Sequence, residues 1–161
     1  MAVFDAARDP AEHVALAWTM EESARLYYME LSEHFPELRE TLAAMATAEE
    51  SHRDRLAELS RDELGQAGQP TLEGAEDMME GGIARRAALD WARTRKPVDV
   101  LEFTAAMEAN AHDRYIVVGR AVGGAVERVF SEHAEAERHH LNQLMAMFEQ
   151  HVGASESPPH L

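Results

Sequence analysis

Apolar positions recur at alternating spacings of three and four along four long stretches, the signature of helices that bury one face. The first stripe is Val14, Ala17, Glu21, Ala24, Tyr28 and Leu31. Asp9-Pro10 ahead of it offers a capping carboxylate followed by proline at the first helical position, and His34-Phe35-Pro36 closes it. The second stripe is Leu38, Leu42, Met45, Glu49, His52, Leu56 and Leu59; the third is Leu101, Thr104, Glu108, Ala111, Tyr115, Val118 and Val122. The fourth carries Val126, Phe130, His133, Glu137, His140, Leu144 and Met147. The pattern predicts helices over about 10–34, 37–64, 98–122 and 125–151, with Gly123-Gly124 turning the chain between the last two. Residues 65–97 read as a crossover: Gly65, Gly68, Pro70, Gly74 and Gly81-Gly82 break any long helix, and a short helix is expected around Ile83 to Thr94. A helix of roughly 25 residues is about 37 Å long, and a crossover of this size can return the chain along that height. Residues 154–161, with Pro158-Pro159, read as a flexible tail. The expectation is one all-α domain over 1–161, a four-helix bundle of two hairpins joined by a long crossover.

Each stripe carries acidic or imidazole residues where apolar ones belong, and the misfits repeat. The first stripe maps onto the third at an offset of 87, taking Glu21 to Glu108 and Tyr28 to Tyr115. The second maps onto the fourth at an offset of 88, taking Glu49 to Glu137 and His52 to His140. The two halves are therefore an internal repeat, which predicts a pseudo-two-fold arrangement of the misfit residues.

Glu49-x-x-His52 and Glu137-x-x-His140 each place a carboxylate and an imidazole on one helix face. Two such pairs, with single glutamates from two other helices, form the ligand set of a dinuclear metal site in a bundle core. Glu21, Glu49, His52, Glu108, Glu137 and His140 are the candidate metal ligands. Four carboxylates with two neutral imidazoles carry a charge that two divalent cations balance, and this donor set suits iron, manganese or zinc. Pseudo-symmetry makes Glu49 and Glu137 the bridges, with Glu21 and His52 completing one ion and Glu108 and His140 the other. An isolated Glu-x-x-His arises by chance on an acidic helix, but here both copies sit on buried stripes. Burying an unpaired carboxylate costs roughly several kcal/mol, and few arginines or lysines occupy central positions to pair with them.

Tyr28 and Tyr115 lie two turns beyond the single glutamates on the same faces. They are candidate catalytic residues as hydrogen-bond donors to carboxylates of the facing helix or as redox-active neighbours, with core packing as the alternative. His133 breaks the repeat (Met45 is its counterpart) and could support the site or add a ligand. His112, His139, Glu50 and Glu135 flank the stripes, the nine methionines read as core filler, and His13, His34, His151 and His160 read as surface residues.

Composition narrows the partners. A net charge of −15 argues against nucleic acid and anionic membranes, which demand basic surfaces. With no cysteine, thiolate chemistry and iron–sulfur clusters are excluded. No apolar run approaches membrane-spanning length and the N-terminus lacks a signal pattern, so a cytoplasmic location is expected.

The stretches Met20-Glu21-Glu22-Ser23-Ala24-Arg25 to Tyr28, Ala48-Glu49 to His52, Met107-Glu108 to Tyr115 and Glu137 to His140 resemble the rubrerythrin branch of the ferritin-like superfamily across roughly residues 10–150. The resemblance implies a ferritin-like bundle with a carboxylate-bridged di-iron centre, and an oxidoreductase that acts on Fe(II) with dioxygen or on hydrogen peroxide. Non-catalytic buffering or sensing of iron, manganese or zinc is the alternative. Rubrerythrins that carry a rubredoxin domain bind a further iron through four cysteines, which this sequence lacks, so an external electron-donor protein is expected. They also have a glutamate three residues after the single glutamate of the third helix. Alanine at 111 makes this site more symmetric. A homodimer is expected rather than a storage shell.

Overall fold

A computed structural model describes residues 9–155 of the chain. Four long helices form the bundle: α1 (Pro10–His34), α2 (Arg39–Asp62), α4 (Pro97–Val122) and α5 (Gly124–Ser155), with the short α3 (Arg85–Ala92) in the crossover. The all-α, ferritin-like expectation holds. Helix α5 continues to Ser155, and the rest of the tail read as flexible, residues 156–161, lies outside the described residues. The sequence pattern missed one detail, an antiparallel pairing of β1 (Met78–Met79) with β2 (Ile83–Ala84) around a tight turn at Glu80–Gly82.

Local chemistry sets the ends of the helices. Asp9 accepts from the Glu12 amide at 2.9 Å while Glu12 accepts from the Asp9 amide at 3.4 Å, a reciprocal cap that satisfies amides the first turn leaves open. Between α4 and α5 the chain reverses through Gly123 (φ 79°) and Gly124 (φ 59°), a left-handed backbone that side chains disfavour.

Helix α1 packs on α2 and α4 on α5, and the two hairpins close face to face. The core is divided. One apolar cluster gathers Tyr27, Tyr28, Leu31, Phe35, Leu38, Leu42, Met45 and Leu144 at one end of the bundle. Another gathers Val14, Ala17, Trp18, Leu56, Leu59, Tyr115, Val118, Val126 and Phe130 at the other. The glutamates and histidines of the stripes occupy the layer between them. The crossover is bound to α1: Thr19 accepts from the Leu72 amide at 3.0 Å, Ser23 donates to the Glu76 carbonyl at 2.9 Å, and Arg85 pairs with Glu30 at 2.6 Å. These contacts, with Met20 and Leu16 packed on Ala75, hold the Glu80 turn against the bundle. Among the described residues no helix is long and apolar enough to cross a membrane.

Hairpin α4–α5 closes tightly at Gly119, where an added Cβ would lie 3.1 Å from Phe130 Cβ and 3.4 Å from the Glu127 backbone. Gly119→Val is expected to destabilise the domain by about 1–3 kcal/mol through overpacking, read as a lower midpoint in denaturant unfolding.

Candidate metal centre

The fold brings all six sequence-derived candidates to one place. Glu21 comes from α1, Glu49 and His52 from α2, Glu108 from α4, and Glu137 and His140 from α5. The glutamates are buried and His52 is half-buried, its side chain 12% exposed. One atom from each of Glu21, Glu49, His52 and Glu137 lies within 4.8 Å of the others, and the same is true of Glu49, Glu108, Glu137 and His140.

The pairing is symmetric in detail. His52 Nδ1 lies 2.9 Å from Glu49 Oε2, 3.2 Å from Glu137 Oε1 and 3.4 Å from Glu21 Oε2. His140 Nδ1 lies 3.2 Å from Glu137 Oε2, 3.4 Å from Glu49 Oε1 and 3.5 Å from Glu108 Oε2. Glu49 and Glu137 each turn one oxygen to either histidine, whereas Glu21 and Glu108 each face one. The two imidazoles stack with centroids 5.4 Å apart.

Protein donors do not satisfy this set. A ring nitrogen carries one proton, so each Nδ1 can serve one of the three carboxylates around it. Glu108 Oε2 and Glu137 Oε1 are buried and accept no hydrogen bond from any described residue. Such orphaned oxygens, four carboxylates and two imidazoles form a donor set chemically suited to divalent cations. Burial and repulsion from Glu137 and Glu21 push the Glu49 carboxyl up to about 8. Burial and Glu137 likewise raise Glu108. Burial opposes charge on His140, but the carboxylates of Glu108, Glu137 and Glu49 that face its ring outweigh it and raise the ring to about 12; burial opposes charge on His52 too, and Glu137, Glu21 and Glu49 raise it. Burial and Glu137 act to raise Glu21 as well, yet hydrogen bonding with His52 and Glu49 holds it at about 2.

The tyrosines connect the halves diagonally. Tyr28 of α1 donates to Glu108 of α4, and Tyr115 of α4 donates to Glu21 of α1, so each hydroxyl holds the single glutamate of the facing helix. His133 turns its ring nitrogens away from the carboxylates, toward the Val129 carbonyl at 2.9 Å and the His52 carbonyl at 3.1 Å. It supports the backbone of His52. Glu50, Glu135 and His139 are exposed, and His112 pairs with exposed Asp113 at 3.0 Å. His34 is exposed and His151 half-buried, while His160 lies outside the described residues. His13, read as a surface residue, is instead buried near the start of α1. Its position one residue before Val14 placed it on the rim of the stripe, where a single helix does not reveal what the rest of the fold covers. Met29 and Met145 are exposed, so the methionines are not all core filler.

The family model described as Rubrerythrin matches residues 12–148, most of the chain. The chain belongs to the rubrerythrin family. No curated protein and no solved structure gives a match. This rubrerythrin-family domain therefore sits in the ferritin-like di-iron carboxylate superfamily, with a buried carboxylate–histidine cluster of the composition that superfamily uses.

One residue beside this rubrerythrin-family site escaped the sequence pattern. Glu80, in the crossover turn, is buried and forms a bidentate pair with Arg114, whose Nε lies 2.9 Å from both carboxylate oxygens. A small cavity of about 10 Å³ is lined by Glu21, Glu49, Glu80, Glu108, Glu137 and Ala111 among others, room on the scale of a single water molecule. Burial raises the Glu80 carboxyl, Arg114 opposes the shift, and Glu21 and Glu137 add to it by repulsion. Arg114 also lies over the Tyr115 ring, 4.3 Å from its centroid. The scarcity of central cations thus has one exception, and that cation is engaged by a fifth buried glutamate. A lone glutamate between Met79 and Gly81 in a glycine-rich stretch offers no periodicity to flag it.

Protons held by Glu49, His52 and His140 in the folded, metal-free protein are released on unfolding once the pH exceeds their ordinary values. Folded pKa values raised above the unfolded ones mean stability present at lower pH and lost as pH rises. The metal-free protein is expected to melt at progressively lower temperature between about pH 5 and 8. Two bound divalent cations, which displace those protons, should reverse the trend. Calorimetry across that range with and without metal reads both slopes. Tyr115→Phe, which frees Glu21 without adding bulk, is expected to weaken metal binding by about 10–100-fold, measured by competition with a chromophoric chelator.

Proposed function

We propose that this domain holds two divalent metal ions, iron in its working state, and acts as an oxidoreductase that oxidises Fe(II) with dioxygen or reduces hydrogen peroxide. In this reading Glu49 and Glu137 bridge the ions, Glu21 and His52 complete one coordination sphere, and Glu108 and His140 the other. The observation that carries it is the placement of one oxygen of Glu49 and one of Glu137 beside each histidine. Four carboxylate charges match two divalent cations, which explains how so many acids share one dry layer.

A ferrous pair supplies two electrons at neighbouring positions, the number that converts one peroxide and two protons into two waters. The chain's own residues do the rest. The carboxylates and imidazoles would hold the two ions, while Tyr28 and Tyr115 hold Glu108 and Glu21 by hydrogen bonds so that less reorganisation accompanies a change of charge. The apolar clusters on either side exclude bulk water, and the small cavity, on the scale of one water molecule, excludes organic substrates. In this reading the electrons for a further cycle come from a separate donor protein.

The test is anaerobic loading with Fe(II) followed by addition of dioxygen or peroxide. Oxidant consumption in proportion to iron, with the absorption of a bridged diferric product, is the expected outcome. Full metal binding without turnover of either oxidant would leave a metal-binding protein and remove the oxidoreductase. Glu49→Ala and Glu137→Ala are each expected to lower the stoichiometry below two metals per chain, since a bridge serves both ions. Elemental analysis after equilibrium dialysis reads it, and retention of two would refute the bridging roles.

A further inference from the structure

A second, larger cavity of about 300 Å³ lies on the outer side of α4, lined by Glu80, Gly81, Asn110, Asp113, Arg114, Val117 and Val118. It meets the surface at Asp113, whose side chain is 81% exposed, and at Val117, 53% exposed. Glu80 is the single residue that lines both this outer cavity and the small inner one. Glu80, held by Arg114, stands between the outer cavity and the carboxylate cluster.

That side chain has chemistry suited to passing a cation. A divalent ion leaving water needs oxygen ligands at each step, because bare transfer into a low-dielectric interior is prohibitive. Asp113 and Asn110 line the outer cavity, Glu80 stands between the two cavities, and Glu21, Glu49, Glu108 and Glu137 line the far side. Both oxygens of Glu80 are engaged by Arg114, with Arg114 Nη2 at 2.6 Å from Oε1. In this state the carboxylate is neutralised and the way is closed by a fixed positive charge. Glu80 opens a single 3-10 turn, Glu80–Gly82, whose other two residues are glycines at φ 75° and 73°.

We propose that Glu80 is the entry carboxylate of the dinuclear site, taking divalent cations from the outer cavity and delivering them to the inner cluster, with Arg114 as the latch that holds it shut. The inference rests on the two-metal reading of the cluster. It assigns Glu80 to metal entry and not to the coordination sphere. The other face of the cluster, at half-buried His52, is the rival route.

Stopped-flow mixing of the metal-free full chain with Co(II), followed by the visible absorption of the bound ion, tests it. Glu80→Gln keeps the shape, removes the charge and leaves Arg114 uncompensated. It is expected to slow uptake at least about tenfold, the scale on which local charge steers an ion. Arg114→Gln frees the carboxylate and is expected to speed uptake. Both variants should still bind two Co(II) at equilibrium. Opposite signs are the signature, since a purely structural pair would shift both variants the same way. Equal rates in all three proteins would place entry at His52, and loss of one Co(II) in Glu80→Gln would make Glu80 a ligand. Each of those results overturns the proposal. Should the buried variants fail to fold, Asp113→Asn at the exposed rim decides: slower uptake supports the route and an unchanged rate overturns it. If the unmodified protein binds fewer than two Co(II), the two-metal reading fails independently of the entry route.

Discussion

Four carboxylates share one dry layer in the middle of this bundle, and everything nearby is arranged around that constraint. In water, such a cluster would simply keep its charges apart. Here Glu21, Glu49, Glu108 and Glu137 are fixed by four different helices, each anchored by apolar residues above and below. The helices cannot separate without exposing both apolar clusters, so the acids cannot relax. Their repulsion is relieved by protons at Glu49, Glu108 and the two histidines, or by cations in their place.

The divided core follows from the same constraint. A continuous apolar core would be more stable per residue buried, yet a buried acid cluster needs neighbours that keep water out and hold geometry. Tyr28 and Tyr115 belong to both worlds. Their rings pack in opposite apolar clusters, while their hydroxyls cross the layer to Glu108 and Glu21. Each hairpin thereby holds a carboxylate of the other, which couples closure of the bundle to construction of the site.

The crossover introduces asymmetry into an otherwise duplicated design. It covers α1 through Thr19, Ser23 and Glu30, and inserts Glu80 beside α4, where Arg114 balances its charge. The small side chain of Ala111 lines the same cavity as Glu80. A domain built from two equivalent hairpins thus presents two unlike faces: a crossover side, closed by an ion pair, and a side where the half-buried His52 meets His133.

The sequence by itself determined the helices and the six candidate ligands, because a helix converts spacing of three and four into a common face. Glutamate and histidine on those faces stood out against the apolar rhythm, and the offsets of 87 and 88 between halves matched each misfit to its counterpart. Tertiary structure alone decided which tyrosine holds which glutamate, that His133 serves the backbone of His52, that His13 is covered, and that Glu80 and Arg114 wall the cavity. Those facts depend on where a non-periodic crossover lands and on contacts between groups 34 to 94 residues apart. Periodicity reports the face a residue shares with its own helix, and it carries no information about what another segment brings to that face.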